Sequence, residues 1–201
     1  MLASFIYRLA LIFMRALGWK FEGPQPVQKK FVLLGAPHTS NWDFLLTLAL
    51  IGHFRLPLRY MVKNQVFRWP WAGLLKSLGA IPIDRSRRVN VVESTIEALK
   101  TYDQIVIGIL PEGTRKRTEY WKSGFYHIAH GAGVPVVLAR VDAASKTLRL
   151  GESFLLSGDV EADMAKIADF YKGVTAIYPD CFGPVRLKPA DNPQSSPGSV
   201  Q

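Results

Sequence analysis

Cysteine is almost absent. Cys181 stands alone among 201 residues, so no intramolecular disulfide can form, and no CxxC pair or closely spaced Cys/His set offers a structural zinc site. A reducing compartment is the simpler setting for such a chain. Also missing is any run of about 20 uncharged apolar residues, the length a membrane-spanning helix needs. The most apolar segment, residues 1–21, is interrupted by Arg8 and Arg15, and no small-residue cleavage site follows it, which argues against a signal peptide. Acidic residues are in deficit: 16 Asp and Glu face 25 Lys and Arg, a formal charge of +9. A field of that sign favours anionic partners, and nucleic acid, an anionic membrane surface and a phosphorylated substrate satisfy it equally. With 48% hydrophobic and 20% charged residues, collagen-like, coiled-coil and wholly disordered chains are excluded.

What is present is an alternation of short apolar runs with helix-like stretches. The runs Phe31–Ala36, Arg59–Val62, Ala80–Ile83, Ile105–Leu110, Val134–Val141 and Thr147–Leu150 read as strands, and Asn41–Gly52, Trp71–Leu78, Val89–Tyr102, Gly124–His130 and Val160–Tyr171 as helices. That order predicts a single α/β domain with a mixed, largely parallel sheet flanked by helices, preceded by an N-terminal amphipathic helix. Residues 1–21 place Leu2, Phe5, Ile6, Leu9, Ile12, Phe13 and Leu17 on one wide apolar face, with Arg8 and Arg15 on the other. This is the pattern of a helix lying in a bilayer interface, though a helix packed on its own domain shows it too. The expected division is therefore an interface helix over 1–21, an α/β domain over 22–183, and a disordered Pro/Ser/Asn-rich tail over 184–201. The basic charge is local: residues 55–88 hold eight basic residues and one acid, whereas 141–180 hold four basic residues and seven acids.

Two polar clusters follow strand candidates directly, where α/β sheets bind ligands. The first is Pro37-His38-Thr39-Ser40-Asn41-Trp42-Asp43. With His38 on the loop and Asp43 in the first turn of the next helix, the imidazole can fold back onto the carboxylate. The carboxylate then fixes the tautomer while the far nitrogen accepts a proton. No GxSxG elbow is present and Cys181 lacks the surroundings of a nucleophile, so the proton acceptor would act on a substrate, most naturally an alcohol. The second cluster is Leu110-Pro111-Glu112-Gly113-Thr114-Arg115. Arg115 offers a planar fork for phosphate or carboxylate, Gly113 allows close backbone approach, and Glu112 can orient Arg115 or meet a hydroxyl. As ordinary structure, the same residues make a polar turn and a helix start. His53, His127 and His130 carry no comparable pattern.

In order, HTSNWD, GAIPIDR, PEGTR and VPVV resemble the four blocks of the glycerolipid acyltransferase family, over roughly residues 30–140. Here Pro37 replaces the Asn that usually precedes the histidine, Pro82 stands at an aromatic position, and the fourth block lacks a second proline. The resemblance implies a glycerol-3-phosphate acyltransferase-like fold. It also implies transfer of an acyl group from an acyl-CoA or acyl-carrier-protein thioester to a hydroxyl of a lysophospholipid or other phosphorylated acceptor. Carried over by position, His38 is the general base and Asp43 its partner, while Asp84, Arg85, Glu112, Gly113, Thr114 and Arg115 bind the acceptor. No metal and no bound cofactor are implied. The expected setting is the cytoplasmic face of the inner membrane, against an anionic leaflet and with no nucleic acid. A non-catalytic anionic lipid- or nucleic-acid-binding module, and a hydrolase using the same dyad, are the competing functions.

Overall fold

The structure, a computed structural model, describes residues 2–63, 65, 67, 71–83 and 88–189. Helix α1 (Leu2–Ala16) leads into the short strand β1 (Lys20–Glu22) and then β2 (Lys30–Ala36), α2 (Trp42–Phe54), β3 (Leu58–Lys63), α3 (Trp71–Ser77), β4 (Ala80–Ile83) and α4 (Arg88–Thr101). The chain continues with β5 (Ile105–Ile109), α5 (Gly124–Ala132), β6 (Val136–Asp142), β7 (Thr147–Leu150) and α6 (Val160–Tyr171). One seven-stranded sheet runs β1-β7-β6-β2-β5-β3-β4. Strands β6, β2, β5, β3 and β4 are mutually parallel; β7 is antiparallel to β6, and β1 pairs parallel with β7. The expected α/β architecture with a largely parallel sheet is what forms.

Strand β2 lies at the centre, and its period-2 alternation assigns its side chains to two cores. Val32, Leu34 and Ala36 join α4, α5 and α6 on one face, while Phe31 and Leu33 join α1 and α2 on the other. Both faces are covered, so β2 and β5 are apolar almost without interruption, as buried parallel strands are. Helix α2 (WDFLLTLALIGHF) is apolar all round because it is covered twice, by the sheet beneath and by α1 above. A Cβ built on Gly52 would lie 2.5 Å from the Tyr7 carbonyl oxygen. The missing side chain is what lets α1 lie directly on α2.

Beyond shifts of one or two residues at element ends, three features depart from the sequence reading. The N-terminal helix stops at Ala16 rather than running to residue 21, because residues 20–22 are drawn into the sheet edge, where Lys20 N donates to Lys146 O at 2.8 Å. Three residues are too few to register as a strand by periodicity. The apolar face of α1 is also divided. Ala10 and Met14 are buried against α2, with Ile6 partly so, whereas Leu2, Phe5, Leu9, Ile12, Phe13 and Leu17 stay exposed. Finally, residues 184–189 are ordered: Val185 and Leu187 pack on the core, and Leu187 bridges Trp121. Their Pro-rich composition conceals two apolar anchors. Among the described residues no helix is long and apolar enough to cross a membrane, and no His/Cys/Asp/Glu group is placed to hold a metal ion.

Replacing Gly52 with alanine should force α1 away from α2 and cost about 1–3 kcal/mol, the usual penalty of overpacking. Thermal denaturation with hydrogen exchange of α1 amides would read this; unchanged protection of α1 would mean that the close approach is unimportant.

Candidate active site

Strands β2 and β5 are direct neighbours, with Leu34 opposite Ile109, so the loops leaving their C-terminal ends meet. The chain leaves β2 through a cis Ala36–Pro37 bond and places His38 in front of α2. The Nδ1 atom of His38 lies 3.0 Å from Asp43 Oδ2. The two are close but not aligned as a full hydrogen bond, the loose geometry that catalytic pairs often show before substrate tightens them. With the proton assigned to Nδ1 by this contact, Nε2 keeps a lone pair. Asp43 is itself fixed. Its Oδ2 accepts the backbone N–H groups of Thr39 and Ser40, each at 2.8 Å, and its side chain is buried. A carboxylate in the first turn of α2 thus organises the loop before it.

The second loop supplies Glu112, whose Oε2 accepts the His38 backbone N–H at 2.6 Å. Glu112 is 3% exposed. Burial, aided by the nearby Asp43 charge and opposed by the bond from His38, lifts its carboxyl from the usual carboxylate range to about 7. Gly113 follows with φ +68°, and Thr114 and Arg115 are exposed on the turn. Arg115 makes no ion pair and no side-chain hydrogen bond among the described residues. Beneath both loops, the hydroxyl of fully buried Tyr171 donates to Leu34 O at 2.7 Å.

The family model described as Acyltransferase matches residues 18–141, which include both loops. The chain belongs to the acyltransferase family. Among relatives, a Mycoplasma pneumoniae protein named "Probable 1-acyl-sn-glycerol-3-phosphate acyltransferase" is 30% identical over 144 residues, 66% of this chain and 53% of its own length. The 1-acyl-sn-glycerol-3-phosphate acyltransferase of Escherichia coli is 30% identical over 122 residues, 57% of this chain and 48% of its own. The acyltransferase chain therefore spans about half the length of the relatives it matches. The crystal structure of the 1-acyl-sn-glycerophosphate acyltransferase PlsC from Thermotoga maritima shares the fold, with a TM-score of 0.58, 17% identity, and coverage of 85% of this chain and 80% of that one.

Of the residues singled out from the sequence, the structure gathers His38, Asp43, Glu112, Gly113, Thr114 and Arg115 at one end of β2 and β5. Asp84 and Arg85 lie outside the described residues. Glu112 turns inward to the His38 backbone rather than toward Arg115, a role that depends on strand order and has no local signal. The amides before α2 are largely engaged: those of Thr39 and Ser40 by Asp43, and that of Trp42 by Ser40 Oγ at 3.1 Å. Tyr171 and the contact from Tyr178 N to Thr39 Oγ1 carry no motif and are visible only in three dimensions.

The raised Glu112 carboxyl makes stability depend on pH. Between about 4.5 and about 7 the folded chain keeps a proton that the unfolded chain has lost, so stability falls as pH rises through that window and levels off above it. Glu112→Gln keeps an oxygen for His38 N and does not titrate. Its melting temperature should gain on the parent protein's by an amount equivalent to about 2–3 kcal/mol from pH 5 to pH 8; parallel melting curves across that range would refute the assignment.

Proposed function

We propose that the chain is an O-acyltransferase that moves a fatty acyl group from an acyl-CoA or acyl-carrier-protein thioester to a hydroxyl of a lysophospholipid or glycerol-phosphate-type acceptor. The observation that carries this reading is a His–Asp pair beside a basic turn with no protein nucleophile attached. The nearest hydroxyls, Thr39 and Ser40, are buried and accept backbone N–H groups of Tyr178 and Trp42. Cys181, in the Pro179–Cys181 turn, is a free half-buried thiol with no hydrogen bond or ion pair to His38 among the described residues.

The acceptor hydroxyl gives its proton to His38 Nε2 as its oxygen bonds to the thioester carbonyl carbon. Asp43 stabilises the imidazolium so formed. Collapse of the tetrahedral intermediate breaks the carbon–sulfur bond, and the leaving thiolate takes the proton back from His38. A thioester is already activated, so no covalent enzyme intermediate is needed, and one base with positioning suffices. Arg115 on the turn is suited to the acceptor's phosphate. A largely apolar groove of about 310 Å³ lined by Met14, Leu17, Trp19, Trp42, Lys146 and Ile177 reaches the first residue of α2 and suits an acyl chain.

The exposed apolar side of α1, flanked by the exposed Arg8 and Arg15, fits an anionic leaflet on the cytoplasmic face of the inner membrane. Trp42, Phe44 and Tyr178, also exposed, extend apolar surface near the dyad. The acidic helix α6, which packs on the sheet face opposite α1, suits the opposite orientation, away from lipid.

His38→Ala should lower kcat for phosphatidate formation from oleoyl-CoA and 1-oleoyl-glycerol-3-phosphate by about 10²–10⁴-fold with the melting temperature held. Full retained activity would remove His38 as the base, and free fatty acid as sole product would favour a hydrolase. A double change, Phe5→Glu with Ile12→Glu, alters only exposed positions. It should abolish flotation with phosphatidylglycerol/phosphatidylethanolamine vesicles; undiminished flotation would exclude α1 as the membrane contact.

A further inference from the structure

We infer that Lys122 supplies a second cation to the acceptor's phosphate, with its ammonium arched over Gly113 of the PEGTR turn. The inference rests on the reading of this turn as the site of a phosphorylated acceptor. A Cβ built on Gly113 would meet Lys122 Cε at 2.7 Å, Nζ at 2.9 Å and Cδ at 3.0 Å, so the whole end of the lysine lies along the turn backbone. Glycine at this position therefore does two things: it adopts φ +68°, and it leaves the space that the lysine occupies.

The base of Lys122 is fixed rather than free. Its backbone N–H donates to Pro111 O at 2.8 Å, closing the loop that begins after β5, and Trp121 N donates to Arg186 O at 2.8 Å. Trp121 is itself fully buried. The ammonium is anchored by its backbone next to Glu112, yet Glu112 faces inward to His38 N. Lys122 has no ion pair and no side-chain hydrogen bond among the described residues, and the same holds for Arg115. Of the other cations of this region, Arg117 donates to Phe182 O at 2.6 Å and lies near Glu119, and Arg186 pairs with Glu119 at 3.0 Å; Lys116 is also unpaired among the described residues, but only Lys122 lies along the Gly113 backbone. Unneutralised cations on one short loop repel, and an anion between them reverses the sign of that interaction.

A phosphate monoester carries close to two negative charges at neutral pH. A guanidinium fork takes two of its oxygens and an ammonium the third, a division of labour that matches the chemistry of the two side chains.

The test uses the full chain, 1-oleoyl-glycerol-3-phosphate as acceptor and oleoyl-CoA as donor. Lys122→Met should raise the acceptor KM about tenfold, equivalent to ~1.4 kcal/mol, and leave the donor KM in place. Lys122→Arg should restore most of it. Arg115→Ala is the internal reference. If Arg115→Ala raises the acceptor KM and Lys122→Met does not, the lysine only packs on the turn and the inference fails while the site reading stands. If neither moves it, the phosphate assignment of the turn fails as a whole. A rise in donor KM instead, or an equal loss of melting temperature and affinity in both Lys122 variants, would also overturn the role.

Discussion

One buried carboxylate oxygen joins the two loops on which the site depends. Glu112 Oε2 accepts the His38 amide, and through that bond the turn after β5 holds the loop after β2. Neither loop is long or apolar enough to fix itself. A carboxylate placed where water is excluded is costly, and its raised proton affinity is the measure of that cost. The backbone N–H groups that it and Asp43 accept offset part of it. Two acidic groups therefore lie close to one histidine: Glu112 holds its backbone N–H, and Asp43 stands 3.0 Å from its Nδ1.

Much of this was legible in the sequence. Strands β4 and β7 and helix α6 have the bounds their patterns predict, since apolar runs flanked by turn residues and an Asp159 N-cap are local signals. His38 and Asp43 were legible for the same reason: five positions apart across a loop-to-helix junction, they needed only one local turn to meet. The link from Glu112 to His38 spans 74 residues and depends on β5 inserting between β2 and β3, a choice no short window encodes. Strand β1 was missed because three residues carry no period, and the order at Val185 and Leu187 because their anchors sit among prolines. In each miss a long-range partner decided the outcome.

Helix α1 is apolar on two sides for two reasons. Ala10 and Met14 complete the cover over α2, and Gly52 sets how closely they approach. Leu2, Phe5, Leu9, Ile12 and Phe13 remain exposed. Treating the segment either as a membrane helix or as a core helix divides what one helix combines. The buried side belongs to the fold, and the outer side is surface that water penalises.

The segment after α1 is stitched into the sheet. Lys146 Nζ donates to Leu17 O, Lys20 N to Lys146 O, and β1 occupies the rim of β7. Cutting the chain after Glu22 would therefore not release a trimmed, self-sufficient body. It would strip the lid from the apolar helix that carries Asp43 and leave β7 as an open edge with unpaired amides, the kind of rim on which chains polymerise. The element that looks most like a detachable anchor is part of the scaffold.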